Sequence, residues 1–552
     1  MNGAGKTVSE PSGYSGHSVP GSGPSYNGRH VNSDPANASY WRRRPDWALV
    51  AIILLAVAFR LYRLDAPYVD AHSWRQVTNA DIARNWVEGP IQFAYPVVSW
   101  GGPDGRVGLE FPLLHLLTAL VWRAVGLSEP AGRLVAVAFS VVGVWWMGLL
   151  GSRLLGRPAG RGAAFLLAVS PTVVYFGRAL LSDTPMLTFS IGAVLGYVAY
   201  VQTTRWPYAL AGALSLAMAG LVKIPAILVL GPVLWAGFLA RRWTVLRDPW
   251  FTAAPLAAMG AVAVWYLHAD LVYQSTGLTQ AIFRPSGTYP QDIAAYAGPF
   301  TTVSHWTRAD LLTLHNAWEL LFRYYALHLT PTGTLLAVIG MARWRQAGRT
   351  LVDIWMLAAL SLVAVSLAGQ IPHEFHQLPT LPPLALYFGL GAAPLFSEAS
   401  YARLGRLRVP ATAAVAVGGL ALSVYAFWTS GAVRNLYRPH MMNTALVDAG
   451  RAIDAATPGD ALLVTMEYQR YGANSPMLLY YAHRRGWSFD ASSITPEVVD
   501  HLRRDRGARF FATSEWSSLQ ALQPAVAEYL SRQRAVDLPG TFWEFRLFEL
   551  PP

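Results

Sequence analysis

The chain has 552 residues, of which 53% are hydrophobic and 14% are charged, and it carries a formal net charge of +11. Soluble domains carry about 25% charged residues, so the composition excludes an ordinary soluble enzyme. Several apolar runs reach the roughly 17–25 residues that cross a bilayer, which predicts a polytopic α-helical membrane protein. The chain lacks cysteine, which excludes disulfides and cysteine-ligated zinc. Its arginines lie in short loops rather than in a basic domain, so no nucleic acid partner is predicted.

The N-terminal residues 1–45 are rich in Gly, Ser, Pro and Asn and contain almost no large aliphatic side chains. Such a segment cannot bury enough apolar surface to fold, so we expect a disordered tail. The tail ends in three consecutive arginines, Arg42 to Arg44, which the positive-inside rule places in the cytoplasm. The N-terminus is therefore predicted to be cytoplasmic.

The first apolar run, about residues 47–64, is predicted to carry the chain outward through the cytoplasmic membrane. It is followed closely by Asp70, His72, Arg75 and Gln76. Ionisable groups packed at a membrane boundary are costly to desolvate and indicate a functional site. We expect Asp70 to be catalytic, taking a proton from an acceptor hydroxyl or holding that group in place, and His72 and Gln76 to bind substrate. The alternative is a solvated loop that begins a helix.

Residues 65–130 are predicted to form a first outer loop with interfacial helices. Its one apolar stretch, about residues 111–127, contains His115 and Arg123, so it either spans the bilayer or lies flat along the surface. If it lies flat, the next arginine-rich turn and all later ones fall on the cytoplasmic side, as the positive-inside rule requires. Charge therefore favours the flat orientation.

That orientation predicts a transmembrane module over residues 46–430 with about eleven helices and a long outer loop at 269–330. Residues 431–552 then lie outside the membrane. They alternate strand-like and helical runs and contain no nucleotide-binding glycine motif, which predicts a small α/β domain without a nucleotide site. The expected strands are Ala461–Thr465, Arg509–Thr513 and Phe542–Leu550, and the expected helices are Thr444–Ala455 and Ser517–Arg532.

A second acid, Asp183, falls on the same outer face as Asp70 in this topology. It precedes Thr-Pro, so it could simply begin a helix, where an acid is favourable and proline fits the first turn. The alternative is a second catalytic acid, which the shared face with Asp70 favours.

Cations on the outer face are candidates for binding a lipid phosphate. Lys223 either snorkels to the membrane interface or supplies such a cation. Arg75, Arg84 and Arg178 are expected to share this role, because a planar guanidinium matches phosphate oxygens.

His373 and His376 lie three residues apart in a later outer turn, close enough to share one helical face. The turn lacks the longer His-Glu-x-x-His spacing of zinc proteases. Hydrogen bonding to a sugar or a polar headgroup is favoured, metal binding and an inert loop stay open, and no metal requirement is predicted.

The order of these features resembles the GT-C membrane glycosyltransferases, specifically the bacterial relatives of protein O-mannosyltransferases and of lipid A aminoarabinose transferase (glycosyltransferase family 39-like). The resemblance covers roughly residues 47–400. The matching stretches begin at Asp70 (Asp-Ala-His-Ser-Trp-Arg-Gln), Ala80 (Ala-Asp-Ile-Ala-Arg-Asn), Glu110 (Glu-Phe-Pro-Leu-Leu), Gly132 (Gly-Arg-Leu), Tyr175 (Tyr-Phe-Gly-Arg-Ala-Leu-Leu-Ser-Asp), Val222 (Val-Lys-Ile-Pro) and His376 (His-Gln-Leu-Pro-Thr-Leu-Pro-Pro-Leu).

The resemblance implies a hexosyl- or pentosyltransferase that moves a sugar from a polyprenyl-phosphate donor to a protein, lipid or glycan acceptor on the outer face of the membrane. It implies that Asp70 matches the catalytic acid of the family's first outer loop and that Asp183 matches the acid of the second. Relatives often carry Asp-Glu at the first position, whereas here Ala71 follows Asp70.

The mechanism expected from these residues is a single inverting displacement, in which the departing lipid phosphate is stabilised by arginine or lysine. The rival interpretation is a polytopic transporter or a flippase for lipid-linked sugars. Transporters often carry internal repeats and broken helices near the midplane. We see no repeat here, and the polar groups gather on one face, which favours an enzyme. The identity of the sugar, the acceptor and the oligomeric state are left open.

Overall fold

The computed structural model describes residues 45–280, 321, 323–365, 373–429, 436–438, 441–467, 475–491, 493–538, 540–541 and 543–552. The predicted N-terminal tail lies outside these residues, apart from its last position. So does most of the predicted outer loop at 269–330. The part of that loop that is described is helical at both ends, because the preceding helix continues to Thr276 and a π-helical turn covers Tyr324–Leu329.

Helices make up the body of the protein. In chain order they are α1 (Trp47–Arg60), α2 (Ser73–Glu88), α3 (Leu113–Val125), α4 (Glu129–Leu155), α5 (Arg157–Val169), α6 (Pro171–Phe176), α7 (Asp183–Thr203), α8 (Trp206–Val222), α9 (Leu230–Arg241), α10 (Ala253–Thr276), α11 (Thr330–Ala342), α12 (Arg349–Val365), α13 (Leu381–Ala392), α14 (Glu398–Ala402) and α15 (Arg408–Thr429). Short 3-10 turns cover Ile224–Val229, Arg242–Arg247, Glu374–Thr380, Ala393–Phe396 and Gly405–Leu407.

Within the described ranges, five helical segments are long and apolar enough to cross a membrane, and four shorter apolar helices accompany them. The five are Glu129–Leu155, Asp183–Thr203, Ile224–Arg247, Ala253–Thr276 and Glu374–Ala402. The chain is therefore a helical membrane protein, as its composition predicts, and the expected number of about eleven spans stays a prediction.

Ion pairs gather several helix ends at one end of the body. Asp46 caps α1 by accepting a hydrogen bond from the Leu49 amide at 3.2 Å, and it also pairs with Arg161 of α5 at 3.0 Å. Arg161 reaches Glu398 at the start of α14 at 3.8 Å. The starts of α1, α5 and α14 therefore share one end, which is the arrangement that the predicted cytoplasmic turns require.

A buried arginine joins α1 to a break between α5 and α6. Pro171 has no amide hydrogen, so the Leu167 carbonyl loses its helical partner. Arg60, which is fully buried, donates to that carbonyl at 2.9 Å, to the Ala168 carbonyl at 3.1 Å and to Ser140 at 2.7 Å. The guanidinium thus satisfies the carbonyl that the proline leaves without a partner.

Helix α3 lies in the predicted first outer loop and packs between α2 and α4. Its 13 residues are about 20 Å long, whereas the hydrocarbon core of a bilayer is about 30 Å thick. His115 bonds Asn79 of α2 at 3.0 Å, and Arg123 donates to the carbonyls of Trp86 and Gly89. The length and these contacts favour the flat orientation.

The C-terminal residues form an α/β domain with a five-stranded sheet in the order β2-β1-β3-β5-β4. The first three strands are parallel, and β5 pairs antiparallel with β3 and β4. The elements are α16 (Met441–Ala456), β1 (Leu462–Met466), α17 (Met477–Tyr481), β2 (Arg485–Phe489), α18 (Pro496–Arg506), β3 (Ala508–Thr513), α19 (Trp516–Leu522), α20 (Pro524–Ser531), β4 (Arg534–Val536) and β5 (Arg546–Glu549).

Two details of this domain differ from the sequence prediction. The single helix expected at 517–532 is divided into α19 and α20, because Pro524 begins a new helix after Gln523 adopts a non-helical backbone conformation. Strands β2 and β4 and helices α17 and α18 are not predicted by the sequence. Strand β2 contains Arg485, Gly486 and Ser488 and therefore lacks a strong apolar pattern.

The domain packs directly on the predicted first outer loop. The Gly486 amide of β2 donates to the Ser99 carbonyl at 2.8 Å, and the Gly102 amide donates back to the Gly486 carbonyl at 2.7 Å. Gly102 has φ +80, and a Cβ there would lie 2.8 Å from the Trp487 side chain, so glycine is required at this contact. Loop and domain therefore form one packed unit.

Candidate functional site

The first polar cluster surrounds Asp70, in the segment between α1 and α2. Arg178 makes an ion pair with its Oδ2, and Arg133 of α4 lies 3.5 Å from the same oxygen. Gln76 donates from Nε2 to Asp70 Oδ1 at 2.7 Å and accepts from Arg133 at 2.9 Å. Four side chains from three parts of the sequence thus form one closed network, which we call the Asp70 cluster: Asp70, Gln76, Arg133 and Arg178.

The Asp70 cluster is almost inaccessible. Only 2% of the Asp70 side chain is exposed, and the side chains of both arginines are fully buried. Burial by itself would raise the pKa of the Asp70 carboxyl, but Arg133 and Arg178, together with the hydrogen bond from Gln76, outweigh it and hold this pKa below its usual value. Both carboxylate oxygens bond protein groups, so the charge is structurally compensated.

The second polar cluster is centred on an ion pair between two helix ends. Asp183 is the first residue of α7, and Lys223 is the residue at which α8 ends, before Ile224-Pro225 starts a 3-10 turn. The Lys223 ammonium lies 2.6 Å from Asp183 Oδ1, and 14% of the lysine side chain is exposed. This pair is therefore open to a ligand in a way that the Asp70 cluster is not.

Arg75 and Glu110 extend this second cluster from the first outer loop. Arg75 lies 3.4 Å from Gln280 Oε1, with its guanidinium 5.1 Å from the Trp74 ring. Burial raises the pKa of Glu110, although Lys223 and Arg75 act in the opposite direction. The shift biases Glu110 toward its neutral form. We refer to Arg75, Glu110, Asp183 and Lys223 as the Lys223 cluster.

A histidine–glutamate pair borders the Lys223 cluster. His72 Nε2 lies 3.0 Å from Glu374 Oε2, and Glu374 lies 3.9 Å from Arg323. The Phe375 ring contacts both neighbours: its centre is 4.8 Å from that of the His72 ring and 4.7 Å from the Lys223 ammonium. One phenylalanine thus connects the pair to the Lys223 cluster.

A narrow apolar cleft lies beside the Lys223 cluster. Its walls come from α7, from the 3-10 turn after Lys223, from α12 and from the turn before α13. Met186 and Pro225 in this lining lie three and two residues after Asp183 and Lys223. A charged end and an apolar body are the two features that a lipid phosphate has.

The sequence-predicted site residues fall into separate groups in the structure. Asp183, Lys223, Arg75 and His72 come together, and His373 and His376 lie beside them, since the ring centres of His72 and His373 are 5.5 Å apart and those of His373 and His376 are 5.3 Å apart. Burial, followed by His72 and Arg75, lowers the pKa of His373 to about 3, so this imidazole is neutral at physiological pH.

Three predicted ligand-binding residues have structural partners instead. Gln76 and Arg178 belong to the closed Asp70 cluster. Arg84 is buried away from Lys223, where it bonds Asp81 at 2.9 Å, Ser99 at 3.1 Å and the Tyr480 carbonyl of the C-terminal domain. Their guanidinium and amide groups already serve to hold loops and helices together, so the expectation that they bind donor phosphate or substrate lacks geometric support.

Several residues of these clusters were not singled out from the sequence. Glu110 begins one of the quoted stretches and Glu374 lies between His373 and His376, but both look like ordinary loop acids in the sequence. Arg133 lies in the apolar helix α4 and Phe375 lies between Glu374 and His376, and their contacts depend on residues more than 50 positions away. Spacing along the chain gives no signal for such contacts.

Among the described residues, no group of three or more His, Asp or Glu side chains is arranged to hold a metal ion. The expectation about metal was left open, and it remains open.

Comparison with known proteins gives a consistent fold. Residues 110–268 match the family model of dolichyl-phosphate-mannose-protein mannosyltransferase. ArnT from Cupriavidus metallidurans is similar in the apo state (TM-score 0.58) and bound to undecaprenyl phosphate (TM-score 0.57), each at 13% identity over 91% of this chain and 98% of that one. No curated protein sequence matches the chain.

Two further structures share the fold. The archaeal oligosaccharyltransferase AglB from Archaeoglobus fulgidus, in complex with an inhibitory peptide and a dolichol-phosphate, matches at 10% identity with a TM-score of 0.50, over 90% of this chain and 73% of that one. Arabinofuranosyltransferase AftD from Mycobacteria matches at 15% identity with a TM-score of 0.53, over 92% and 40%. The chain therefore has the GT-C fold, and the resemblance predicted from its motifs is confirmed.

Proposed function

We propose that this GT-C membrane protein is a glycosyltransferase that moves a sugar from a polyprenyl-phosphate donor to an acceptor on the outer face of the cytoplasmic membrane. The observation that carries the proposal is the position of the Lys223 cluster at the edge of an apolar cleft. A cation beside an apolar groove suits a ligand with a phosphate at one end and an isoprenoid chain at the other. The lipid phosphates bound by ArnT and AglB have this chemistry.

In the proposed complex, Lys223 and Arg75 bind the donor phosphate. Lys223 supplies a compact charge and Arg75 a planar set of donors. Asp183 holds the Lys223 ammonium at 2.6 Å, which makes it a positioning residue. Of the four cations predicted from sequence, Lys223 and Arg75 are retained for this role, while Arg84 and Arg178 are not.

The reaction follows from this arrangement. The acceptor oxygen attacks the anomeric carbon, the bond from that carbon to the phosphate oxygen breaks, and the polyprenyl phosphate leaves with the bonding electrons. Cations at the leaving phosphate stabilise its developing charge, which is where electrostatic catalysis acts. A single displacement inverts the anomeric configuration. The phosphoester bond of the donor supplies the driving force, so the reaction needs no nucleotide on the outer face.

Polyprenyl phosphate binding and release test the proposal. Purified protein in lipid nanodiscs is incubated with a panel of polyprenyl-phosphate sugars and membrane extracts, and free lipid phosphate and glycosylated products are measured by mass spectrometry. We expect release from at least one donor, with Lys223→Gln strongly impaired. Arg153→Gln is the matched control, because Arg153 bonds Gln202 near the end of α7, whereas Asp183 of the cluster begins that helix, so its loss leaves the site intact.

Two results would contradict the proposal. One is the absence of both lipid phosphate release and thermal stabilisation by polyprenyl phosphate across the panel. The other is substrate counterflow in sealed vesicles without any covalent product, which indicates the transporter or flippase that the sequence left as the rival.

A further inference from the structure

We propose that His72, positioned by Glu374, is the general base that deprotonates the acceptor hydroxyl, in place of Asp70. This inference rests on the proposed glycosyl transfer and deepens it by naming the group that accepts the proton. Three observations carry it: the hydrogen bonding of the pair, its position beside the Lys223 cluster, and the closure of the Asp70 cluster.

The hydrogen bond assigns roles to the two nitrogens of His72. Glu374 accepts through Oε2, 3.0 Å from His72 Nε2, so Nε2 carries the proton. Nδ1 is then the basic nitrogen, and within the described part of the chain it forms no hydrogen bond. An imidazole oriented by a carboxylate through one nitrogen and basic at the other is the arrangement that activates hydroxyl nucleophiles.

The backbone holds His72 in an uncommon conformation. Its φ is 57° and its ψ is 35°, in the left-handed region, directly before the first turn of α2. Residues other than glycine rarely adopt this region, and they do so where the surrounding structure enforces it, often at functional sites. The ring is fixed there between Phe176 and Phe375, whose centres lie 5.7 and 4.8 Å away.

The two candidate bases differ in access. The His72 side chain is 13% exposed, whereas that of Asp70 is 2% exposed. Both Asp70 oxygens are bonded to Gln76, Arg133 or Arg178, so an acceptor hydroxyl would have to displace an ion pair to reach it. His72 takes part in none of these ion pairs, so an acceptor hydroxyl can bond it without displacing them.

The position of the pair suits a displacement at the sugar. Phe375 contacts both the His72 ring and the Lys223 ammonium. The base and the cation proposed for the leaving phosphate therefore contact the same ring, which places both at one site. The acceptor proton passes to His72 Nδ1, the acceptor oxygen bonds the anomeric carbon, and the lipid phosphate leaves.

Other charged groups face the pair. Arg323 lies 3.9 Å from Oε1 of Glu374, the carboxylate oxygen that does not bond His72. His373, Arg75 and Lys223 influence one another electrostatically at this site. Turnover therefore has to be compared between variants that keep these groups unchanged.

The test measures turnover and donor binding separately. His72→Asn retains a residue type that tolerates the left-handed backbone region but removes the basic nitrogen. General bases contribute about 100- to 10,000-fold, so we expect kcat to fall at least 100-fold while the Kd for polyprenyl phosphate changes less than threefold. His501→Asn is the control, because His501 pairs with Asp505 on α18 of the C-terminal domain.

A second variant keeps the test independent of folding. Glu374→Gln retains the size of the side chain and a hydrogen-bond acceptor but removes the charge. We expect a smaller fall in kcat, about tenfold, with an unchanged Kd for polyprenyl phosphate, because the imidazole loses the carboxylate that orients it. A purely structural role of Glu374 would instead lower the melting temperature and the donor affinity together with kcat.

The outcomes separate this inference from the proposed function. Turnover by His72→Asn within threefold of the wild-type value, in a protein that melts normally, overturns the assignment of the base and leaves glycosyl transfer intact. Absence of lipid phosphate release by the wild-type protein removes the proposed function and the base with it.

Discussion

The Asp70 cluster and the Lys223 cluster contain the same kinds of side chain near the same end of the helical body, yet they differ in how their charges are compensated. Asp70 has two buried arginines and a glutamine as partners, and its side chain is 2% exposed. Lys223 has Asp183 as its close partner and is partly exposed beside an apolar cleft. A charged cluster whose groups are all paired inside the protein indicates a structural role. A cluster whose charge is only partly paired, and which lies at an opening, can still bind a ligand.

Glu467 of the C-terminal domain extends this comparison. It is also a buried acid, but it bonds Ser475 and the Leu478 amide. Burial raises its pKa to about 8, whereas the two arginines hold the pKa of Asp70 below its usual value. The pKa of a buried carboxyl is therefore raised when no cation is buried with it, as at Glu467, and lowered when cations are, as at Asp70.

The largest expected effect is the destabilisation caused by Asp70→Asn. The substitution leaves Arg133 and Arg178 buried without their anion, and breaking a buried ion pair costs about 3–5 kcal/mol. We expect a large fall in the melting temperature of the detergent-purified protein. A variant that melts like the wild type but has lost turnover would instead support the catalytic role that the sequence predicts for Asp70.

A smaller effect is expected from Lys223→Gln, and on binding rather than folding. Hydrogen bonds to charged groups contribute about 1.5–3 kcal/mol, which corresponds to a roughly 10- to 100-fold weaker Kd for polyprenyl phosphate. Asp183 stays favourable at the N-terminus of α7, so the melting temperature should change little. Equal affinity of the variant and the wild type, measured by microscale thermophoresis, would mean that the phosphate binds elsewhere.

Arg84→Met tests whether a predicted phosphate ligand is structural. Arg84 bonds Asp81, Ser99 and the Tyr480 carbonyl, and burial already raises the pKa of Asp81, so that acid can take up a proton when its cation is lost. We expect a moderate destabilisation of about 1–3 kcal/mol, the cost of buried polar groups left without a partner. A selective loss of affinity for polyprenyl phosphate, with unchanged stability, would restore the sequence prediction for Arg84.

The effect expected from Glu467→Gln is a change in pH dependence, smallest at acidic pH, where the wild-type carboxyl is itself neutral. A folded-state pKa of about 8 against an ordinary value of 4.5 means that the protonated form stabilises the fold below pH 4.5. That stability is lost progressively as the pH rises to about 8. The variant should remove this slope and melt a few degrees higher than the wild type at pH 8. Parallel melting curves of both proteins from pH 5 to 8 would contradict the buried neutral carboxyl.

The sequence was sufficient for the membrane class and the fold, because apolar run length and arginine placement reflect the bilayer directly. It also located the polar segment from Asp70 to Gln76 and the isolated charges Asp183 and Lys223. It could not divide these residues into two clusters. That division depends on Arg133, which lies in an apolar helix, and on Phe375, whose contacts with His72 and Lys223 join segments distant in the chain.

The first outer loop and the C-terminal domain show the same limit. Their packing rests on β2, whose Arg485, Gly486 and Ser488 hide its strand character, and on Gly102, which pairs with it. The sequence of the loop does not predict its contact with β2, and the sequence of β2 does not predict its contact with the loop. Backbone pairing between segments so distant in the chain leaves no local periodicity in either.

The location of the donor phosphate tests the central claim most directly. A cryo-electron microscopy structure of the full chain in nanodiscs with bound polyprenyl phosphate should place the phosphate against Lys223 and Arg75, with the isoprenoid chain entering the cleft between α7 and α12 and the Asp70 ion pairs unchanged. A phosphate bound by Arg133 and Arg178, with Asp70 released from them, would contradict the account.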